Sequence, residues 1–557
     1  MGYVQGILAE QTWLLPYSIE ELIEENNPVR VIEAYADSLC LEGLGFARAV
    51  PAQTGRPAYD PRDMLKLYIY GYLNRLRSSR RLMLECRRNV ELFYLLKMIK
   101  PDFRTIADFR KDNRKALEEV FKDFVSLCSE LKLLGKKMFT VDGTKIRAVN
   151  GKKKAYTETI LTNKLKYLEE QQQKIEQYLA DMDRQDQEDH IPGMDIKPEN
   201  MPAHLEAIKK RKIKYTGYQE RMKRTGEKQI LETDPECRSM KTKEGMLPSY
   251  NIQTVVDDDS HIIVSFETTN VHTDQGQLSE MAEKTKKELK LKTAEFKADK
   301  GYESREDILK CVMSGSIPDV GFKYDRERRF YDLEYRPAEI TEEIRQSTKP
   351  EDIQACIHAG VLPACYEGST ISVELQRKSV VSCFIRHEDG TVTCPVGRQL
   401  FKHRDRKHGT VYGSREACRT CPNRCTNSKA EKQVSIGYNT NVVFTTMYGI
   451  SHVPLQKPPP GAIPHNNFNL KKPEARIRLT IRRDPDLMQK RKEVVEHPFG
   501  TIKWYDGAND FLCRGKEMVS AEIALSFLSY NLRRAIKILG VGGLIARIKQ
   551  RKRKNEG

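Results

Sequence analysis

Three acids sit where the sequence pattern would fix them in space. Asp142 lies in the alternating run FTVDGTK, Asp299 ends EFKAD, and Glu496 falls in the helical-type stretch KRKEVVEHPFGTIK, seven residues before Lys503. A carboxylate inside or at the end of an apolar strand is costly to bury unpaired, so it needs a cation, a hydrogen-bond network or a metal. Two acids on neighbouring strands and one from an adjoining helix would hold two Mg2+ (or Mn2+) ions about 3.5–4 Å apart, the arrangement for in-line displacement at phosphorus. Singly, each has an ordinary explanation: Asp142-Gly143 is a common turn dipeptide and Glu496 a solvated helical residue. Together they point to phosphodiester chemistry. Lys503, two helical turns beyond Glu496, is then expected on the same face as a phosphate contact.

A second constellation is C-x23-C-x2-C-x3-C, made by Cys394, Cys418, Cys421 and Cys425. Four thiolates at about 2.3 Å make a structural zinc site. An iron–sulfur cluster accepts the same four, and free thiols are the remaining reading. His403 and His408 stand in reserve as ligands, while Cys365 and Cys383 read as buried thiols. A closed site leaves no position for a substrate, so the expected role is to staple a core-poor insertion. The basic residues around it, Arg398, Lys402, Arg404, Arg406 and Lys407, are placed to face DNA.

The third is Arg75, Arg77, Arg80, Arg81, Arg87 and Arg88, set against one acid, Glu85, on either side of Ser78-Ser79. A helix-turn-helix that sets arginines on phosphates or base edges has this composition, as does a solvated helical face paired with acids elsewhere.

The elements that must position these groups can be read from periodicity. Residues 1–135 read as all-helical. Asp60 caps and Pro61 opens a helix in which Met64, Leu65, Tyr68, Tyr72 and Leu76 recur, and further helices are expected near 79–88, 90–98 and 105–130, with Thr105 and Asp108 capping the last. From Met138 to Val149 the pattern alternates as a strand. Segment 156–226 carries Leu161, Leu165, Leu168, Ile175, Leu179 and Met182 in 4-3 spacing, then a looser return through Met201, Leu205, Ile208, Tyr215 and Met222, which predicts an inserted antiparallel helical hairpin. Two strands, a helix from Gln275, the strand at Asp299 and a helix from Ser304 complete an α/β layer over 136–155 and 227–323. Residues 324–480 read as an irregular, cysteine-bearing insertion. Residues 481–557 hold the Glu496 helix, a second helix and the basic tail ARIKQRKRK.

Composition bounds the rest. A chain of 557 residues accommodates three or four domains. It is 39% hydrophobic and 31% charged, with mean hydropathy −0.62 and no apolar run of membrane-spanning length. Ninety-five Lys and Arg against 78 Asp and Glu give a net charge of +17, which favours a polyanionic partner. The start MGYVQGILAEQTWLL lacks a secretory pattern. With 13 cysteines unsuited to a disulfide framework, the expected location is the cytoplasm.

The chain resembles the DDE transposases of bacterial insertion sequences, which have an RNase H-like core, and among them most closely the eleven-eighty-two group. RPAYDPRDMLKLYIYGYLNRLRSSRRL with PDFRTIADFRKDN is similar to their helical DNA-binding domain; VDGTKIRA, ADKGYESREDI and VVEHPFGTIK are similar to the segments bearing their three acids; TDPECRSMKTKEGMLPSYNIQTVVD and SFLSYNLRR match as well. The resemblance implies a triad of Asp142, Asp299 and Glu496 with Lys503 beside it, two Mg2+ or Mn2+ ions, and an RNase H-like α/β core. It implies a helical DNA-binding domain before that core, while the residue patterns above add a helical-hairpin insertion and a zinc-knuckle insertion. The implied function is hydrolysis at transposon ends and transfer of the freed 3′ hydroxyl to target DNA by a nucleoid-associated protein that is a dimer on DNA. The family pattern has a tyrosine and an arginine upstream of the glutamate; here Gln489 and Lys492 stand there and Arg491 is one residue farther away. A catalytically silent DNA-binding or regulatory descendant and a metal-dependent nuclease are the alternatives.

Overall fold

The computed structural model describes residues 18–51, 53–54, 57–184, 201–322, 327–376, 379–421, 425, 430–448, 454–462, 476–484 and 486–556. It opens with helices α1 (Val29–Ser38), α2 (Pro61–Leu73), α3 (Ser79–Glu85), α4 (Val90–Leu96), α5 (Phe103–Asp112) and α6 (Arg114–Glu130). Asp60 caps α2, its carboxylate accepting the Arg62 N–H at 2.8 Å, with Pro61 in the first turn where its missing N–H is harmless. The cap of α5 is Asp102: it accepts the Arg104 N–H at 2.8 Å and the Thr105 hydroxyl at 2.7 Å, so Thr105 is a donor to the cap. The single helix expected over 105–130 is broken at Asn113, whose side-chain amide satisfies the Phe109 carbonyl at the end of α5.

The central sheet follows. Strand β1 (Met138–Arg147) leads to the short β2 (Ala155–Thr157), the helical pair α7 (Glu158–Arg184) and α8 (Met201–Thr225), and β3 (Gln229–Leu231), which pairs with β2 and closes the base of the hairpin. Leu161 and Met222 pack with Tyr156 and Ile230 at that base, and Leu168, Ile175 and Ile208 form a second layer farther out. The side chains of Leu179, Met182 and Met201, and the break at 185–200, lie outside the described residues. Next come β4 (Arg238–Thr242), β5 (Gly245–Asp257), β6 (Ile263–Thr269), α9 (Leu278–Leu289), β7 (Ala294–Ala298), α10 (Arg305–Met313) and β8 (Ser316–Val320).

Strand order is β4-β5-β1-β7-β8, with β6 also paired to β5. β1 is antiparallel to β5 and parallel to β7, so the sheet is mixed. One of its faces packs on helices through Phe121 of α6, Phe266 of β6 and Phe527, with ring centroids 5.1 and 5.2 Å apart.

Residues 324–480, expected to be irregular, instead build two further sheets. β9 (Arg328–Glu334), α11 (Glu342–Gln346), α12 (Pro350–Ala359) and β10 (Ile371–Gln376) are joined by β17 (Arg476–Arg482) into a sheet of order β10-β17-β9. In β17 alternate residues Ile477, Leu479 and Ile481 are buried, a period-2 pattern masked by interleaved arginines. Between β10 and β17 lie β11 (Ser379–Arg386), β12 (Val392–Thr393), β13 (Gln399–Arg406), β14 (Gly409–Gly413), α13 (Arg415–Arg419), β15 (Val434–Ile436) and β16 (Val442–Tyr448). The strands among them form a sheet of order β15-β14-β13-β12-β11-β16.

The described chain ends in α14 (Leu487–Gly500), a π-helical turn at Thr501–Tyr505, α15 (Lys516–Leu539) and α16 (Val541–Glu556). α15 is buried along most of its length, and its Asn531 amide clamps both backbone groups of Ile263 in β6, at 2.9 and 2.8 Å. The basic tail is largely part of α16, where Arg551 pairs with Asp123 and Glu130 of α6.

The expected fold class is therefore corrected. In place of an RNase H-like core bearing a zinc knuckle, the chain is a mixed α/β fold with several sheets, and among the described residues no group of three or more His, Cys, Asp or Glu is arranged to hold a metal ion. No helix among them is long and apolar enough to cross a membrane.

A candidate active site between two parallel strands

Strand register brings Asp142 and Asp299 together. β1 and β7 run parallel with Thr140 beside Lys297, and two further residues on each chain place Asp142 next to Asp299 at the end of β7. Val141 and Phe139 point into the core, Phe139 stacking on Phe296 at 5.6 Å, so by alternation Asp142 points out of the opposite face. Helix α14 packs on β1, β5 and β7. From it the buried Arg491 reaches both acids, its Nη2 lying 3.4 Å from Asp142 Oδ1 and 3.5 Å from Asp299 Oδ2. The Nε of Arg491 is buried with no hydrogen-bond partner among the described residues.

Backbone donors fix the carboxylates. Gly143 N–H donates to Asp142 at 2.9 Å, and Gly301 N–H donates to Asp299 Oδ1 at 2.7 Å, where Asp299 caps a short 3-10 turn. Burial pushes the Asp142 carboxyl up to about 6; Arg491 opposes this and the Asp299 charge adds to it.

Asp274, in the loop before α9, completes the acidic wall by accepting from Asn251 at 2.8 Å and Gln253 at 2.7 Å. Gln253 in turn accepts the hydroxyl of the fully buried Tyr302. Gly143 leaves room for this pair, since a Cβ there would come to 2.5 Å from both the Asp274 carboxylate and the Gln253 amide and one of them would have to shift.

Lys503 comes from the π turn. Its Nζ donates to the Lys145 carbonyl of β1 at 2.9 Å, and burial pushes its amine down to about 8, with Lys243 adding to the effect and Asp142 opposing it. Glu496 is placed differently. At about 100° per residue, five residues carry it about 140° around α14 from Arg491, and it is exposed with no hydrogen bond or ion pair among the described residues. Lys503 thus faces β1 while Glu496, seven residues earlier, is exposed. Beside Lys503, Trp504 and Tyr505 are exposed, and Arg75 stacks 3.4 Å from the Tyr505 ring centroid.

The metal assignments are corrected on this geometry. Arg491 supplies the positive charge between Asp142 and Asp299, Glu496 faces away, and the set does not form a site for Mg2+ or Mn2+. Cys394, Cys418, Cys421 and Cys425 line one small cavity with Phe384, Leu400 and Lys432. Burial pushes the Cys394 and Cys425 thiols up. Cys418 Sγ accepts the Lys432 N–H at 3.3 Å. All 13 cysteines are free, and the cluster is not arranged as a zinc knuckle.

Among the arginines of 75–88, Arg80, Arg81, Arg87 and Arg88 are exposed, with Arg80 over the Phe103 ring and Arg88 paired to Glu85. Arg77 points inward, donating to the Asp510 carbonyl at 2.8 Å and lying 3.6 Å from the buried Glu522.

Sequence reading noted Arg491 only as a cation one residue off the family position, and passed over Asp274. The signal for Asp274 was Asn251 and Gln253, polar residues alternating on one face of the otherwise apolar β5. For Arg491, spacing alone did not say which cation of KRK faces the sheet.

Residues 17–112 match the model of a family described as Transposase domain (DUF772). A transposase-associated domain thus spans α1 to α5. No curated protein and no solved structure matches the chain.

Proposed function

We propose that this chain is a DNA transposase of the DDE kind, binding the ends of an insertion sequence and carrying out phosphodiester hydrolysis and strand transfer. The observation that carries the reading is the Asp142–Arg491–Asp299 contact beside Lys503, in a chain whose N-terminal helices match a transposase domain. Asp142 and Asp299 are the proposed catalytic acids. A carboxylate held near neutrality is suited to take the proton of an attacking water or 3′ hydroxyl, while Arg491 and Lys503 hold a phosphate. Glu496 is the third proposed acid and rests on the sequence resemblance alone. Exposed Arg80, Arg81, Arg87 and Arg88 are proposed to contact duplex DNA, with Arg75 beside the site; Arg77 serves the fold. Two ends must meet for transposition, so the DNA complex is proposed to be dimeric.

A second reading has an observation of its own: with Glu496 turned outward, the chain would be a catalytically silent, DNA-binding descendant of a transposase. DNA carrying the element's ends separates the readings. Joined products support the transposase, cleavage without joining a nuclease, and binding alone the silent descendant.

A further inference from the structure

Strand β13, paired on one side to the buried β14 of the cysteine-bearing sheet, is exposed in an unusual way. Every residue from Phe401 to His408 is exposed, although Phe401–Arg406 are paired to β14. Beyond Leu400 the other edge of β13 carries no partner strand among the described residues, because β12 reaches only Gln399 and Leu400. A strand bare on both faces and one edge buries little, so its sequence is free of packing constraints. That sequence, FKHRDRKH, carries four Lys or Arg against one acid.

The cations divide into spent and unspent. Lys402 pairs with Asp405 at 2.8 Å, His403 with Glu431 at 2.8 Å, and Arg398 is turned inward onto the Ala417 and Thr420 carbonyls. Arg404, Arg406 and Lys407 make no side-chain hydrogen bond or ion pair among the described residues. A β-bulge sorts them. In unbroken pairing Phe401 would share a face with His403 and Asp405; the register shift between Lys402 and Arg404 instead sets Phe401, Arg404 and Arg406 opposite Gly413, Val411 and Gly409, all on one face. Lys402 and Asp405 fall on the other, opposite Tyr412 and Thr410. Tyr438, also exposed, donates its hydroxyl to the Arg406 carbonyl at 2.8 Å and braces the tip.

We infer that this strand and its turn are a second DNA-binding surface, separate from the N-terminal arginines, which holds the phosphate backbone of a duplex through Arg404, Arg406 and Lys407 with Phe401 and Tyr438 alongside. The inference rests on the proposed function for its choice of polyanion. Unpaired cations on the outward face of β13 and on its turn match a polyanion's charge. The charged edge also disfavours pairing with a second copy.

The test is the salt dependence of binding by the full chain to a DNA duplex of arbitrary sequence, measured by fluorescence anisotropy. Wild type is compared with the Arg404→Ala, Arg406→Ala, Lys407→Ala triple variant and with an Arg404→Lys, Arg406→Lys variant. Loss of three phosphate contacts lowers the slope of log K against log salt by about 2.7, and the lysine variant keeps the wild-type slope. An unchanged slope in a triple variant of normal melting temperature overturns the inference and leaves the proposed function standing. Failure of the wild type to bind duplex DNA overturns both. Tighter binding to duplex RNA than to DNA overturns the choice of partner.

Discussion

Asp142 and Asp299 share one guanidinium: Arg491 Nη2 stands 3.4 Å from one carboxylate and 3.5 Å from the other. Two like charges held side by side at the ends of parallel strands repel, and the buried cation between them offsets that repulsion. Removing it as Arg491→Ala moves the Asp142 titration upward from about 6 by about one unit or more, read by NMR of the carboxyl carbon. Arg491→Lys keeps the charge and moves it less. An unshifted titration in the alanine variant means the contact has no electrostatic role.

The pH profile of activity follows from the two shifted groups. Asp142 works as a carboxylate and Lys503 as an ammonium. Activity therefore falls as pH drops through about 6, where Asp142 takes its proton, and falls again as pH rises through about 8, where Lys503 loses its own. Lys503→Arg removes the alkaline limb, since arginine stays charged, while the acid limb remains.

Arg77 and Arg81 belong to one basic run yet should behave oppositely. Arg77 joins the N-terminal helices to the Asp510 carbonyl and to buried Glu522, so Arg77→Ala costs about 2 kcal/mol in denaturant unfolding. Arg81 is exposed, and Arg81→Ala leaves stability within about 0.5 kcal/mol while weakening DNA binding.

That contrast shows where sequence reading succeeds. Local chemistry is legible: Asp60-Pro61 announces α2, and the alternation around Asp142 announces β1, because caps and periodicity act within a few residues. Packing across the chain is not. Whether Arg77 meets DNA or Glu522 depends on α15, more than 400 residues away, and the sheets in 324–480 were hidden because arginines occupy their outward positions. For the site, the aspartates were readable from their strand contexts. Arg491 and the outward turn of Glu496, which both depend on the rotation of α14, were not.

The triple contact of Phe121, Phe266 and Phe527 ties the α6–α15 helical layer to the sheet that carries Asp142. Phe527→Ala leaves a cavity there and lowers stability by about 3–5 kcal/mol, measured by urea unfolding. Loss of less than about 1 kcal/mol would mean the two layers do not depend on this contact.

The central claim is that Asp142 and Asp299 are the reacting pair of a DNA transposase. The measurement that tests it most directly is strand transfer on DNA bearing the element's ends, comparing wild type with Asp142→Asn, Asp299→Asn and Glu496→Gln, each checked for wild-type melting and DNA binding. The predicted result is joined product from the wild type and a loss of about a thousandfold or more in each aspartate variant, with DNA still bound. Joined product at the wild-type rate from Asp142→Asn or Asp299→Asn would contradict it.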